Sequence, residues 1–130
     1  MAGRLLLLFN HRLTAAQEAA AQKELGVGEV VPLPAELQTR WSQIPPELPG
    51  LRDYLAPFRR WLSTAAQRGD FVLIQGDFGA TYLMVRFALR LGLIPVYATT
   101  RREAGEEHHA DGVVKLVHHF RHEKFRRYGR

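Results

Sequence analysis

This chain predicts a single α/β domain built on a mainly parallel sheet, and three observations lead there. Apolar runs of strand length recur at Leu5–Phe9, Glu29–Leu33, Phe71–Ile74 and Ile94–Ala98, spread along the chain rather than clustered. The stretches between them hold helix-forming segments, and a crossover of that kind lets successive strands run parallel. The chain has 130 residues, 46% hydrophobic and 24% charged, enough for one real core and typical of a globular protein. The expected architecture is one Rossmann-like domain over residues 1–130.

Taking the elements in order, Arg4–Phe9 (RLLLLF) is continuously apolar, the pattern of a central strand covered on both faces. It ends in Asn10-His11-Arg12-Leu13-Thr14. Thr14 can cap a helix, and Gln17 stands where a capping box needs it. That helix is expected over 15–25, stopped by Gly26 and Gly28. Glu29–Leu33 reads as a short strand between prolines, with Val30–Leu33 expected in the sheet, and Pro34–Trp41 as one or two turns of helix. Pro45–Gly50 (PPELPG) is a rigid connector. Leu51, Tyr54, Leu55, Phe58, Leu62 and Ala65 recur at helical spacing and predict an amphipathic helix over 51–68. Trp41 and Trp61 read as packing residues.

The rest of the chain is organised around Asp70–Thr100, which reads as strand, tight turn, helix, strand. Phe71–Ile74 is the first strand, and Gln75-Gly76-Asp77-Phe78-Gly79-Ala80-Thr81 is the turn. A helix is expected over 79–91, with Gly92 after it. Ile94–Ala98 is the second strand, with its proline near the start, where the sheet tolerates one. The helix is apolar nearly all round, relieved only by Arg86 and Arg90. It is therefore expected to be buried under its own sheet or against a second copy.

The turn lies at a strand carboxyl end and a helix amino end, where open α/β sheets bind anions. Its glycines would let a ligand approach the backbone, and Asp77 either caps the helix or meets a ligand. GDFGAT is neither a Walker A loop nor GxGxxG. His11 lies at another strand tip as a candidate general base, phosphate donor or base-stacking group, its alternative being a surface loop histidine. Thr99, Thr100 and Arg101 form a third tip, with hydroxyl and guanidinium groups suited to phosphate oxygens.

Glu103–Gly112 reads as a polar loop. His108 and His109 in it lack a fixed third ligand, so no metal site and no cofactor is assigned. Val113–Phe120 alternates as an edge strand, expected antiparallel, and continues into basic and aromatic residues through Tyr128, a mixture that suits phosphates and base stacking.

Charge and composition narrow the function classes. The formal net charge is +5, and residues 118–130 hold +4 of it, with Arg121, Lys124, Arg126, Arg127 and Arg130 against Glu123. A nearly neutral body with a basic end argues against a face built for duplex DNA and for a local anion site. The chain has no cysteine, which excludes disulfides and thiolate metal sites. Leu5–Phe9 is too short to span a membrane. The reading is a soluble, cytoplasmic protein.

Four stretches carry a resemblance: LLLLFNHRLTAAQ, LPAELQTRWSQIPPEL, FVLIQGDFGATYLMVRFALRLGLIPVYATTRR and HHFRHEKFRRYG. Over nearly the whole chain they resemble a small stand-alone family of the CRISPR-associated Csx group. Its members accompany type III systems and are related to the CARF sensor fold. The resemblance implies a CARF-like homodimer that binds cyclic oligoadenylate, the tetra-adenylate first among the ring sizes, and a ring nuclease that linearises it without metal. Asn10, His11, Gln75–Thr81, Thr99–Arg101, His122, Arg126 and Tyr128 are the matching positions. Of these, His11, His122 and Arg126 are the candidates for chemistry and the others for ligand contact. The GEEHHADG loop matches nothing in the family, so His108 and His109 inherit no role. Two rivals remain: a module that sequesters the ring without cutting it, and a general RNA-binding protein using the basic end alone.

Overall fold

The computed structural model describes residues 3–130. It is a five-stranded sheet in the order β2-β1-β3-β4-β5, formed by β1 (Gly3–Leu8), β2 (Val27–Val31), β3 (Phe71–Ile74), β4 (Ile94–His108) and β5 (Val114–Arg127). The first four are parallel, and β5 pairs antiparallel with β4. The helices are α1 (Ala15–Leu25), α2 (Ala35–Ser42), α3 (Ala56–Ala65) and α4 (Phe78–Arg90). The α/β class, the parallel core and the antiparallel fifth strand agree with the expectation.

Alternation along the strands gives the sheet two apolar faces. Leu6, Leu8, Val72 and Ile74 pack under α2, α3 and α4 with Trp41, Phe58, Leu62, Met84 and Ala88. Leu5, Leu7, Leu73 and Val96 point the other way, toward Ala21 of α1 and Phe125 of β5. The α1 helix touches both edge strands, β2 and β5, so the sheet curls around it. Thr14 caps α1 through the expected capping box: its hydroxyl accepts from Gln17 N at 3.1 Å, and Gln17 Oε1 accepts from Thr14 N at 3.0 Å. Gly26 closes the helix at φ 66°, a conformation that glycine adopts without strain.

Several boundaries differ from the reading above, each for a local reason. The second strand is Val27–Val31 rather than Val30–Leu33, because Pro32 has no N–H for the ladder and the strand begins directly after Gly26. The helix expected over 51–68 is Ala56–Ala65. Pro57 cannot donate to the carbonyl of Asp53, which accepts from Ala56 N instead, so Leu51–Tyr54 stays a turn that still packs on the core. β4 runs to His108 instead of ending at Ala98, and β5 covers Val114–Arg127 instead of Val113–Phe120. The expected polar loop Glu103–Gly112 is therefore mostly strand. The two strands pair from Val96–Arg127 to His108–Val114 as a long ribbon with one irregularity at Thr99/Thr100. Polar alternation reads as loop in a sequence because the outer ribbon has no core beneath it to demand apolar residues.

The α4 helix buries Ala80, Met84 and Ala88 on its own sheet, with Leu83, Val85, Phe87 and Leu91 packed beside them. Only Phe78, Tyr82 and Leu89 remain as an exposed apolar stripe. No helix among the described residues is long and apolar enough to cross a membrane.

Candidate functional site

Because β1, β3 and β4 are parallel and adjacent, their carboxyl ends share one edge of the sheet. Asn10 and His11 follow β1, Gln75–Thr81 follow β3, and Ala98 and Thr99 stand at the corresponding height of β4. A direct bond links the first two tips, Gln75 N donating to Leu8 O at 3.0 Å. A second links the next pair, Ala98 N donating to Gln75 Oε1 at 2.8 Å. Gln75 is thus a structural tie between the tips.

The GDFGAT turn is largely committed to the fold. Asp77 caps α4, its Oδ1 accepting from Ala80 N at 2.9 Å, which realises the capping role. Gly76 is exposed, but the space that a side chain would take there is already filled. The indole of Trp41 donates to Gln75 O at 2.9 Å and lies so close that a Cβ on Gly76 would stand 2.7 Å from Nε1. Gly79 likewise packs toward Leu51. Ala80 is buried, and the half-buried Thr81 has a hydroxyl with no protein partner. Gly76, Asp77 and Gly79 are exposed too, and Phe78 is the large apolar side chain that the turn offers to solvent, 95% exposed at the start of α4.

Beside the turn, on the α4 face, the carboxyl ends of β3 and β4 meet the end of β5. Tyr97 and Arg126 are direct cross-strand partners, and Arg126 Nη1 donates to the Tyr97 hydroxyl at 3.0 Å with the guanidinium over the ring. Tyr128 packs on Tyr97 with ring centroids 4.8 Å apart and donates its hydroxyl to Ile74 O. Burial raises the Tyr128 phenol's pKa, with the neighbouring Tyr97 adding to it, which keeps the proton this bond requires. Lys124 and Thr99 join through Thr99 Oγ1 donating to Lys124 O at 2.9 Å. Tyr97 was not among the sequence candidates. The signal that could have found it is its alternation with Val96, which puts it on the face opposite the α1 core.

His11 is exposed, its ring edge-on to Phe9 at 5.6 Å. It lines a depression of about 870 Å³ at the carboxyl ends of β1 and β2, together with Asn10, Arg12, Glu18, Gln38 and Thr39. Gln38 and Thr39 were also not read as site residues. Gln38 orients the β1 tip by donating Nε2 to Phe9 O at 2.9 Å.

Two expected site residues are elsewhere or otherwise engaged. His122 is not with His11. Its side chain is only 7% exposed and its Nε2 lies 3.1 Å from Glu24 Oε2, at the far end of α1. About 15 Å of helix separates that end from the start beside His11. The His122 Nδ1 is buried without a partner. Arg101 is no free phosphate contact, because its Nε and Nη2 hold both carboxylate oxygens of Glu123 at 3.1 and 3.0 Å. Thr100 is exposed on the ribbon above. His108 lies 3.5 Å from Glu106, and no cluster of three or more potential metal ligands occurs among the described residues.

A model of the "Uncharacterized protein MJ1673 family" matches residues 3–126 of this chain. The uncharacterized protein MJ1673 of Methanocaldococcus jannaschii is 46% identical over 125 residues, covering 96% of each chain. No solved structure matches.

Proposed function

We propose that this chain, which belongs to the MJ1673 family, binds a cyclic oligoadenylate along the carboxyl edge of its sheet and opens the ring without a metal. In this reading the open sheet is a Rossmann-like domain of the CARF type, working in the cytoplasm as a homodimer in which the α4 stripe of Phe78, Tyr82 and Leu89 meets its copy. A twofold axis there brings two carboxyl edges around one symmetric ring and sets Phe78 beside them. The observation that carries the proposal is that one edge of the sheet bears an exposed histidine, His11, at the β1 tip and, two strands along at β4 and β5, an aromatic and cationic group of Tyr97, Arg126 and Tyr128.

Ring opening needs little from the protein beyond alignment and charge. A ribose 2′-oxygen attacks the adjacent phosphorus in line, the P–O5′ bond breaks, and the products are a 2′,3′-cyclic phosphate and a 5′-hydroxyl. His11 takes the 2′-hydroxyl proton and returns it to solvent, while a water molecule protonates the departing O5′. Arg126, aimed by Tyr97, faces the charge that grows on the phosphoryl oxygens. Adenine rings stack on Phe78 and the tyrosines. The burial of His122 against Glu24 takes that histidine away from this edge, which favours a second reading, a module that holds the ring uncut.

The test is incubation of the protein with cyclic tri-, tetra- and hexa-adenylate, with and without chelator, followed by chromatography of the products. Linear product in both conditions is the expected result, and His11→Ala should slow its appearance roughly 10²–10⁴-fold while binding persists. Ring bound and released intact supports the sequestering reading. Equal affinity for an unrelated RNA of matched charge, or no ring binding, overturns both.

A further inference from the structure

Beyond the sheet body, the β4–β5 ribbon is amphipathic. The pairing register puts Arg102, Ala104 and Glu106 of β4 on one face with Phe120, His118 and Leu116 of β5. The opposite face is polar apart from Val117 and carries two ion pairs, Arg121 to Glu103 at 2.8 Å and Arg101 to Glu123 at 3.0 Å. The first face is the one that covers α1 at the ribbon's base through His122 and Phe125. Farther out nothing covers it: Leu116 is 64% and Phe120 68% exposed. A two-stranded ribbon standing alone is marginal in water, and this one shows its apolar side to solvent.

We infer that this face packs against the same face of a second copy, the tip of each ribbon over the base of the other. Charge fixes that arrangement. A twofold axis through the Ala104–His118 row sets Arg102 opposite the partner's Glu106 and Phe120 opposite the partner's Leu116, and symmetry repeats both contacts. Tip over tip would instead press Glu106 onto the partner's Leu116 and cover its carboxylate with no arginine opposite, leaving it only His108 at 3.5 Å. The ribbon's own charge also selects a protein copy over a nucleic acid. Arg101, Arg102, Lys115 and Arg121 balance Glu103, Glu106, Glu107 and Asp111, whereas a phosphate-binding surface carries a cationic excess. This contact lies on the α1 side of the sheet, opposite the α4 stripe, and stands independently of the proposed ring binding.

The experiment is sedimentation of the full chain at micromolar concentration without ligand. Arg102→Glu and Glu106→Arg should each halve the mass of the wild-type assembly, and the double variant Arg102→Glu/Glu106→Arg should restore it. Both positions are exposed, so circular dichroism should show each variant folded. Tyr82→Asp on α4 serves as the comparator, because it disturbs the other proposed contact and leaves the ribbon able to pair. A monomeric wild type, single variants at wild-type mass, or a double variant that stays dissociated overturns the inference. Loss of mass with Tyr82→Asp alone would leave the α4 contact standing and the ribbon contact refuted.

Discussion

Gly76 owes its place to Trp41. The indole is buried and tied to Gln75 O, so it cannot swing away from a Cβ built 2.7 Å from Nε1. Gly76→Ala is expected to cost about 1–3 kcal/mol as overpacking, read as a lower urea midpoint at unchanged slope. The two arginines read as phosphate contacts differ for a related reason. Arg101 meets a carboxylate, and its hydrogen bond to Glu123, reinforced by its charge, lowers the Glu123 pKa below the ordinary glutamate value. Because the folded value is depressed, the pair's contribution is complete above the ordinary value and is lost as pH falls through the lowered one. A carboxyl titration by NMR should show Glu123 protonating below an unpaired glutamate, and Arg101→Ala should bring it back up. Arg126 donates to the Tyr97 hydroxyl and has no carboxylate partner among the described residues, so in the proposed reading its guanidinium is left to a ring phosphate. Arg126→Ala should therefore weaken ring binding by about 1.5–3 kcal/mol, on the order of 10–100-fold, and Arg101→Ala by much less.

At the scale of elements, the decisive joint is between α1 and β5. Glu24 accepts from Phe125 N at 2.8 Å and faces His122 Nε2 at 3.1 Å, so one carboxylate near the end of α1 pins the edge strand that curls around it. Glu24→Ala leaves two covered groups unpaired, and a cost of about 1–3 kcal/mol for each is expected, measured as a lower melting temperature with faster amide exchange at Phe125. Thr14→Ala removes one arm of the capping box at the other end of the helix and should cost about 1 kcal/mol. Both α1 boundaries were legible in the sequence, since capping is a local matter of Thr14, Gln17 and Gly26. The Glu24 contact was not: its partners lie about a hundred positions away, and an exposed glutamate in a helix carries no mark of them.

For the whole molecule, the question is what covers the two apolar surfaces that the fold leaves open. The α4 stripe of Phe78, Tyr82 and Leu89 lies on one side of the sheet and the ribbon face of Leu116 and Phe120 on the other. The apolar character of α4 called for cover by its own sheet or by a second copy; most of it is spent on the helix's own sheet, and one stripe is left exposed. Leu89→Asp should leave folding intact, because the side chain is exposed. It should also abolish the proposed α4-mediated dimer, read by light scattering with cyclic tetra-adenylate present.

What this sequence determined by itself is everything that short-range pattern encodes. The runs at Leu5, Phe71 and Ile94, the glycine stops and the capping signals were enough to state a parallel α/β core with an antiparallel edge strand. They also placed Asn10, His11 and the GDFGAT turn at strand tips. Only the tertiary structure decided which of those residues are free. Trp41 fills the space beside Gly76, Asp77 is used as a cap, Glu123 neutralises Arg101, and Glu24 draws His122 to the far end of α1. It also extended β4 to His108, because a strand outside the core takes its order from the ladder of its neighbour rather than from buried side chains. The reason is the same in each case. Periodicity reports which face of an element is covered, whereas a polar side chain's role depends on a partner brought to it by contacts distant in the chain.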